Sequence, residues 1–145
     1  MVDVEAFEEV YRSAKMYHYR AKQFLQEGQS FSVVFNVASV ALENYLIALC
    51  ALYGVEPGNH NYTCLMDTVE EIIDISPALN KEIRSLDLLF GICSIENYYH
   101  GNPEPADSDH VLGMCNEVQK LFDPARLAEI RGTLKISNQE CLSEK

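Results

Sequence analysis

Basic side chains are scarce in this chain. Its 145 residues include 11 lysines and arginines against 22 aspartates and glutamates, which gives a formal net charge of −11. Proteins that bind nucleic acids neutralise phosphates with lysine and arginine, so this balance argues against such a partner and better suits a basic protein. One basic stripe is visible on the first predicted helix, where a solvated face explains it more simply than a phosphate contact. It consists of Arg12, Lys15, Tyr19, Arg20 and Lys22.

Paired cysteines, a signal sequence and a long hydrophobic run are missing as well. The five cysteines form no CxxC motif, and their odd number is typical of reduced cysteines in a cytoplasmic protein. The first ten residues are acidic and lack the apolar core of a signal peptide. The longest unbroken apolar run, 45–53, is shorter than the about 20 residues that cross a bilayer. We therefore predict a cytoplasmic protein without a membrane span. The cysteines are Cys50, Cys64, Cys93, Cys115 and Cys141.

Strand patterns and internal repeats are also absent, and turn-forming residues divide the chain into helices. Ser30 and Ser76 are natural N-caps, and Gly28 and Gly54 are natural stops just after a helix. The predicted helices cover about 3–27, 31–54, 63–75, 77–95, 107–122 and 124–132.

This pattern predicts an all-α fold, an up-down four-helix bundle with one or two additional short helices. Residues 1–132 form one helical domain, which is an ordinary size for a single hydrophobic core. Residues 133–145 are expected to be a flexible C-terminal tail.

The most informative segment is the apolar helix 33–54, which has Glu43 and Asn44 in its middle. A carboxylate among so many apolar side chains needs a hydrogen-bonding or charged partner, or its pKa must rise until it is neutral. Glu43 is therefore a candidate functional residue, with a buried structural role as the alternative. Helical spacing places a broad apolar face on this helix, formed by Val33, Val37, Val40, Ala41, Tyr45, Ala48, Leu49 and Leu52.

Residues 41–49, followed by Gly54 and His60, resemble the second helix of HEPN domains (higher eukaryotes and prokaryotes nucleotide-binding), with its Ala-x-Glu pattern, glycine and following histidine. Residues 96–100, which precede a proline-containing acidic loop, resemble the end of the family's later helix. The resemblance covers about 3–123. It implies a helical bundle that forms a homodimer, and it implies a nucleotidyltransferase partner or a nucleotide-like small ligand.

The departures from the family pattern argue against RNA cleavage. HEPN ribonucleases carry an arginine separated from a histidine by four to six intervening residues, yet none of residues 93–95, which precede His100 at that spacing, is arginine. Asn97 occupies the place of the arginine in the Arg-Tyr versions, and Asn44 and Ile47 occupy places where relatives carry lysine. The resemblance therefore implies a member without the cation that would stabilise a scissile phosphate.

Six residues are the candidates for a ligand-binding cleft, and no metal or cofactor is predicted. Glu96 and His100 share a helix face, and His60 and Cys64 lie close in sequence, but neither pair completes a metal site. We predict a non-catalytic binding or assembly module; the alternative is a divergent, toxin-type metal-independent ribonuclease using His100 with Asn97. The six candidates are Glu43, Asn44, His60, Asn97, Tyr98 and His100.

Overall fold

The computed structural model describes residues 2–89 and 105–132, and this part of the chain is helical without any strand. The all-α prediction is therefore confirmed. The elements are α1 (Val4–Gln26), α2 (Phe31–Leu52), α3 (Tyr62–Ile72), α4 (Pro77–Leu89), α5 (Pro105–Gln119) and a short α6 (124–132).

The helix starts follow from side-chain capping of free backbone N–H groups. Ser30 Oγ accepts a hydrogen bond from Val33 N at 3.3 Å, and Ser76 Oγ accepts one from Leu79 N at 3.2 Å, as the sequence predicted. The start of α3 was misplaced. Asn61 Oδ1 accepts from Cys64 N at 2.8 Å, so α3 begins at residue 62 and ends at residue 72 rather than covering 63–75. The helix α5 begins at residue 105, two residues before its predicted start.

Glycines end α1 and α2 in the same way. Gly28 and Gly54 have φ angles of 76° and 71°, a left-handed conformation that glycine adopts at little cost. In each case the next residue donates its N–H back across the helix end: Gln29 N to Phe24 O at 3.0 Å, and Val55 N to Cys50 O at 3.0 Å. These are Schellman motifs, which the glycine positions predicted.

The helix α2 lies at the centre of the molecule and packs against α1, α3 and α5, while α4 packs against α3. Aromatic rings fill the core between α1, α2 and the segment before α6, where the Tyr11 and Phe122 rings stack with centroids 4.5 Å apart. Tyr45 on α2 is fully buried beside them. The segment that joins α4 to α5 lies outside the described residues, so the up-down order of the bundle stays a prediction.

Within the described ranges, α2 is the one helix long and apolar enough to cross a membrane by length and composition. Of its most apolar stretch, 61% is buried inside the molecule. Packing against three other helices accounts for this apolar composition in the way expected of a core helix.

Candidate functional site

The helix α2 has two apolar faces, where the sequence predicted one broad face. Ala41 and Tyr45 belong to the buried face, as do Ala48, Leu49 and Leu52. Val33 and Val40 were wrongly assigned to it, because their side chains are 38% and 40% exposed. The two faces were merged because an all-round apolar helix gives little periodic contrast between its inward and outward sides.

A second side of α2 carries a row of small and mainly apolar side chains, which we call the open row. Val33 and Val40 are exposed there, while Val37, Ile47 and Ala51 are partly buried and pack against the core. Its members follow each other at alternating intervals of four and three residues, the spacing of a helix seam that packs against another helix. None of them is charged, and Glu43 is the only charged residue in the whole of α2. The open row consists of Val33, Val37, Val40, Asn44, Ile47 and Ala51.

A groove between α1 and α2 continues the lower end of the open row. Ile47 and Ala51 from α2 face Ala6 and Val10 from α1 across it, and the groove encloses about 490 Å³. Its far end is polar, lined by Asp3, Glu56 and His60. The groove is open to solvent and is mainly apolar along the helices.

Glu43 lies at the edge of the open row, half-buried beside the start of α3. Burial raises the pKa of its carboxyl group, and the nearby His60 opposes that shift. The phenol of Tyr62 lies on the same side; burial raises its pKa, and the Glu43 carboxylate adds to the effect. Tyr62 Oη donates to the backbone oxygen of Ser39 at 2.8 Å, which fixes α3 against α2. Glu43 and His60 are thus brought together, as two of the predicted site residues.

We expect replacement of Glu43 by glutamine to raise the melting temperature at pH 7. Because the folded pKa of Glu43 is raised, its contribution to stability is complete at low pH and is lost as pH rises through that pKa. Glutamine stays neutral and keeps that contribution at pH 7. Thermal unfolding of the parent and of Glu43→Gln, at pH 7 and below pH 4, measures the difference in melting temperature. We expect this difference to disappear below pH 4. A variant that is less stable at pH 7 would show that the carboxylate has a stabilising partner.

Asn44 is the polar member of the open row. Its Nδ2 donates to the backbone oxygen of Val40, one turn earlier on the same helix, at 2.9 Å. Its Oδ1 makes no hydrogen bond within the described residues. The amide therefore has capacity left on the outward side of α2.

His60 is exposed, in the turn that leads into α3. It lines the polar end of the groove but shares no metal site with the half-buried Cys64: nowhere in 2–89 and 105–132 do three or more histidine, cysteine, aspartate or glutamate side chains converge as metal ligands. The remaining three predicted site residues, Asn97, Tyr98 and His100, lie outside the described residues, as does Glu96.

The sequence reading missed a buried carboxylate, Asp87 on α4. Its side chain is 1% exposed, and its two oxygens accept from the first two backbone N–H groups of α3: Tyr62 N at 3.0 Å and Thr63 N at 2.8 Å. A helix N-terminus is a natural binding place for a negative charge, so Asp87 caps α3 from a neighbouring helix. The available signal was an aspartate at a core position of the apolar pattern between Ile83 and Leu89.

His18 on α1 is the second buried polar residue without an assigned role. Its ring is 3% exposed, and Nδ1 lies 2.9 Å from the Tyr45 hydroxyl. Nε2 is buried and makes no hydrogen bond of ordinary length and angle in the described residues. Burial lowers the pKa of His18 to about 4, the Lys22 ammonium adds to the shift, and Asn116 opposes it. The neutral ring is thus built into the core between α1, α2 and α5.

Comparisons of the chain with protein-family models, with curated proteins and with solved structures find no match. The case for a function therefore depends on the residues of this chain. Two features of the described part stand out: the uncharged open row of α2, and the half-buried Glu43 beside His60.

Proposed function

We propose that this protein is a HEPN-like helical module that works by binding and assembly rather than by catalysis. The observation that carries the proposal is the open row of α2. Val33 and Val40 are more than a third exposed, and the row has no charged member, on a protein whose net charge is −11. Solvated helix faces are normally rich in charged side chains, so an uncharged row with two exposed valines supports a surface that another molecule covers.

The residues around Glu43 support binding better than phosphate chemistry. RNA cleavage without a metal needs an acid or base together with a cation over the developing negative charge. Residues 31–61, which form α2 and the turn after it, include Glu43 and His60 but no lysine or arginine. In addition, the sequence has no arginine separated from His100 by four to six intervening residues.

The partners follow from the resemblance and from the charge. A homodimer is the first assembly expected of a HEPN-like module, and a nucleotidyltransferase is the second partner that the resemblance suggests. Within this same role, the alternative to a protein partner is a nucleotide-like small ligand near Glu43, Asn44 and His60. The excess of 11 negative charges makes nucleic acid a poor partner, and the cysteine pattern suggests the cytoplasm as the site of action.

Incubation of the purified protein with mixed RNA tests the non-catalytic assignment. We expect no cleavage above that of a His100→Ala variant prepared in parallel, because the cation required for phosphate chemistry is missing. The His100→Ala protein controls for contaminating nucleases, since these would be unaffected by the substitution. Cleavage by the parent protein that the variant lacks would overturn the proposal and favour the toxin-type ribonuclease.

A further inference from the structure

We propose that the groove between α1 and α2 is a binding site for a small organic cation, a molecule with an apolar body and one protonated amine. The apolar walls take the body, and the acidic end takes the ammonium group. The inference goes beyond the assembly role proposed above and does not depend on it. Three observations carry it: the size of the groove, the division of its lining into an apolar and a polar part, and the charges around it.

The size of the groove suits a small molecule rather than a protein. The groove encloses about 490 Å³, and ligand pockets in proteins commonly measure roughly 300 to 1,000 Å³. A specific protein interface engages roughly 20 to 30 residues on each side, whereas 10 residues line the groove. The occupant is therefore a small ligand.

The long walls of the groove are apolar. Ala6 and Val10 lie one helical turn apart on α1, and Ile47 and Ala51 lie one turn apart on α2. Each pair shares a helix face, since residues four apart lie one above the other. Val10, Ile47 and Ala51 are partly buried and pack against the core, which holds the walls in place without a ligand. A hydrocarbon chain or ring fits this strip.

Two carboxylates lie at the polar end of the groove, and neither has a cationic partner within the described residues. Asp3 precedes α1, and its Oδ1 accepts from Ala6 N at 3.1 Å as the N-cap of that helix. Its second oxygen makes no hydrogen bond or ion pair in residues 2–89 and 105–132, and the same is true of the exposed Glu56 just after α2. An ammonium group has three N–H donors, which these free oxygens can accept.

The surroundings of the groove disfavour an anionic ligand. No lysine or arginine occurs in residues 1–11 or 23–80, the two stretches that supply the whole lining. Two arginines reach α1 and α2 from α6, but both are engaged elsewhere: Arg131 with Glu8 at 2.7 Å, and Arg126 with a backbone oxygen of α2 at 3.2 Å. Neither arginine lines the groove. A phosphate or carboxylate would thus meet like charges without a basic side chain, whereas an ammonium meets opposite charges.

Titration with octylamine, octanol and octanoate tests the site, because these ligands have equal carbon number and differ in the charge of the head group. Methyl NMR shifts of the full chain report where each ligand binds. We expect octylamine to shift the methyl signals of Ala6, Val10, Ile47 and Ala51, and to bind at least about 10-fold more tightly than octanoate. Equal dissociation constants for octylamine and octanoate would overturn the inference, because charge would then play no part.

Removal of the two charges tests the acidic end. Asp3→Asn keeps a capping oxygen, since asparagine is as good an N-cap as aspartate, and Glu56→Gln keeps the size of the side chain. We expect each variant to raise the dissociation constant of octylamine about three- to five-fold, and the double variant about 10-fold.

Glu71→Gln is the matched control for these variants, because it removes one charge from an exposed glutamate on α3, outside the groove. We expect it to change the dissociation constant of octylamine less than about 1.5-fold, since solvent and salt screen distant charges. Equal effects of Glu71→Gln and Glu56→Gln would assign the binding to the net charge of −11 and overturn the site.

Ala6→Phe tests the apolar walls. Ala6 is exposed on α1, so the larger ring enters the groove without displacing a core side chain, and we expect the dissociation constant of octylamine to rise at least about 10-fold. Ala128→Phe is the matched control, at an exposed alanine on α6 outside the groove. Unchanged binding in Ala6→Phe, with the helical circular dichroism of the parent, would place octylamine elsewhere and overturn the inference.

The outcomes separate this inference from the proposed function. Failure of octylamine to shift the four wall residues at up to about 10 mM would overturn the inference and leave the assembly role standing, since assembly is measured without a ligand. Adenosine monophosphate is the contrasting probe, for which we expect no shifts in the groove. Shifts of the same methyl groups by adenosine monophosphate would overturn the inference and favour a nucleotide-like ligand.

Discussion

Replacement of Asp87 by alanine should lower the free energy of unfolding by about 3 to 4 kcal/mol. The buried carboxylate accepts from Tyr62 N and Thr63 N, and alanine would remove the acceptor of both hydrogen bonds at the start of α3. Hydrogen bonds to a charged group contribute about 1.5 to 3 kcal/mol each, and a donor left buried and unsatisfied costs a similar amount. Urea unfolding followed by circular dichroism measures the change.

Two further variants test whether the loss of stability in Asp87→Ala comes from the hydrogen bonds of its carboxylate. Asp87→Asn keeps one acceptor oxygen in place, so we expect it to lose about half as much stability as alanine. Asp67→Ala removes a carboxylate that is 60% exposed and paired with Arg84, and exposed ion pairs contribute at most about 1 kcal/mol. If Asp87→Ala and Asp67→Ala cost the same, the carboxylate of Asp87 does not hold the start of α3.

Lowering the pH from 6.5 to 4 should remove about 3 kcal/mol of stability through His18 alone. Its pKa is about 4 in the folded protein against 6.5 for an ordinary histidine, so the unfolded chain binds more protons between these values. The contribution of the neutral buried ring is therefore complete above pH 6.5 and falls away as the pH drops to 4. Chemical unfolding at several pH values from 4 to 8 measures this change in the free energy of unfolding.

Carboxylates also titrate between pH 4 and 6.5. The effect of His18 is therefore measured as the difference in pH dependence between the parent protein and a variant without this histidine. His18→Gln should be less stable at pH 7, because it disturbs the contact with Tyr45, but it should lack this part of the pH dependence. The matched control is His110→Gln, which makes the same replacement at an exposed histidine on α5. Equal pH dependence in the parent and in His18→Gln would show that His18 is not held neutral.

Local signals in the sequence predicted the ends of several helices. Ser30, Ser76, Gly28 and Gly54 act within a few residues of their own position, and each has the role that its chemistry predicts. The all-α class followed from the helical spacing of apolar residues between such signals. The start of α3 was missed because Asn61 and Thr63 are both acceptable caps, and only the backbone geometry distinguishes them.

The candidate site was less predictable because its contacts join distant parts of the chain. Asp87 lies 25 residues from Tyr62, and His18 lies 27 residues from Tyr45, so no local pattern reveals either pair. The two faces of α2 could not be separated either, since valine and alanine occur on both. Burial raises the pKa of Glu43, as expected of a carboxylate among apolar side chains, whereas the sequence did not indicate that Val33 and Val40 would be exposed.

Sedimentation equilibrium of the full chain over a wide range of concentrations tests the central claim most directly, namely that the open row of α2 is an assembly surface. The protein has a mass of 16.4 kDa, and we predict that the apparent mass rises with concentration to twice that value for the parent and for Met16→Glu. Met16→Glu is the matched control, since Met16 is exposed on α1 and lies outside the open row. Val40→Glu should stay at 16.4 kDa over the same range. A parent protein that keeps the mass of a single chain at every concentration would contradict the account.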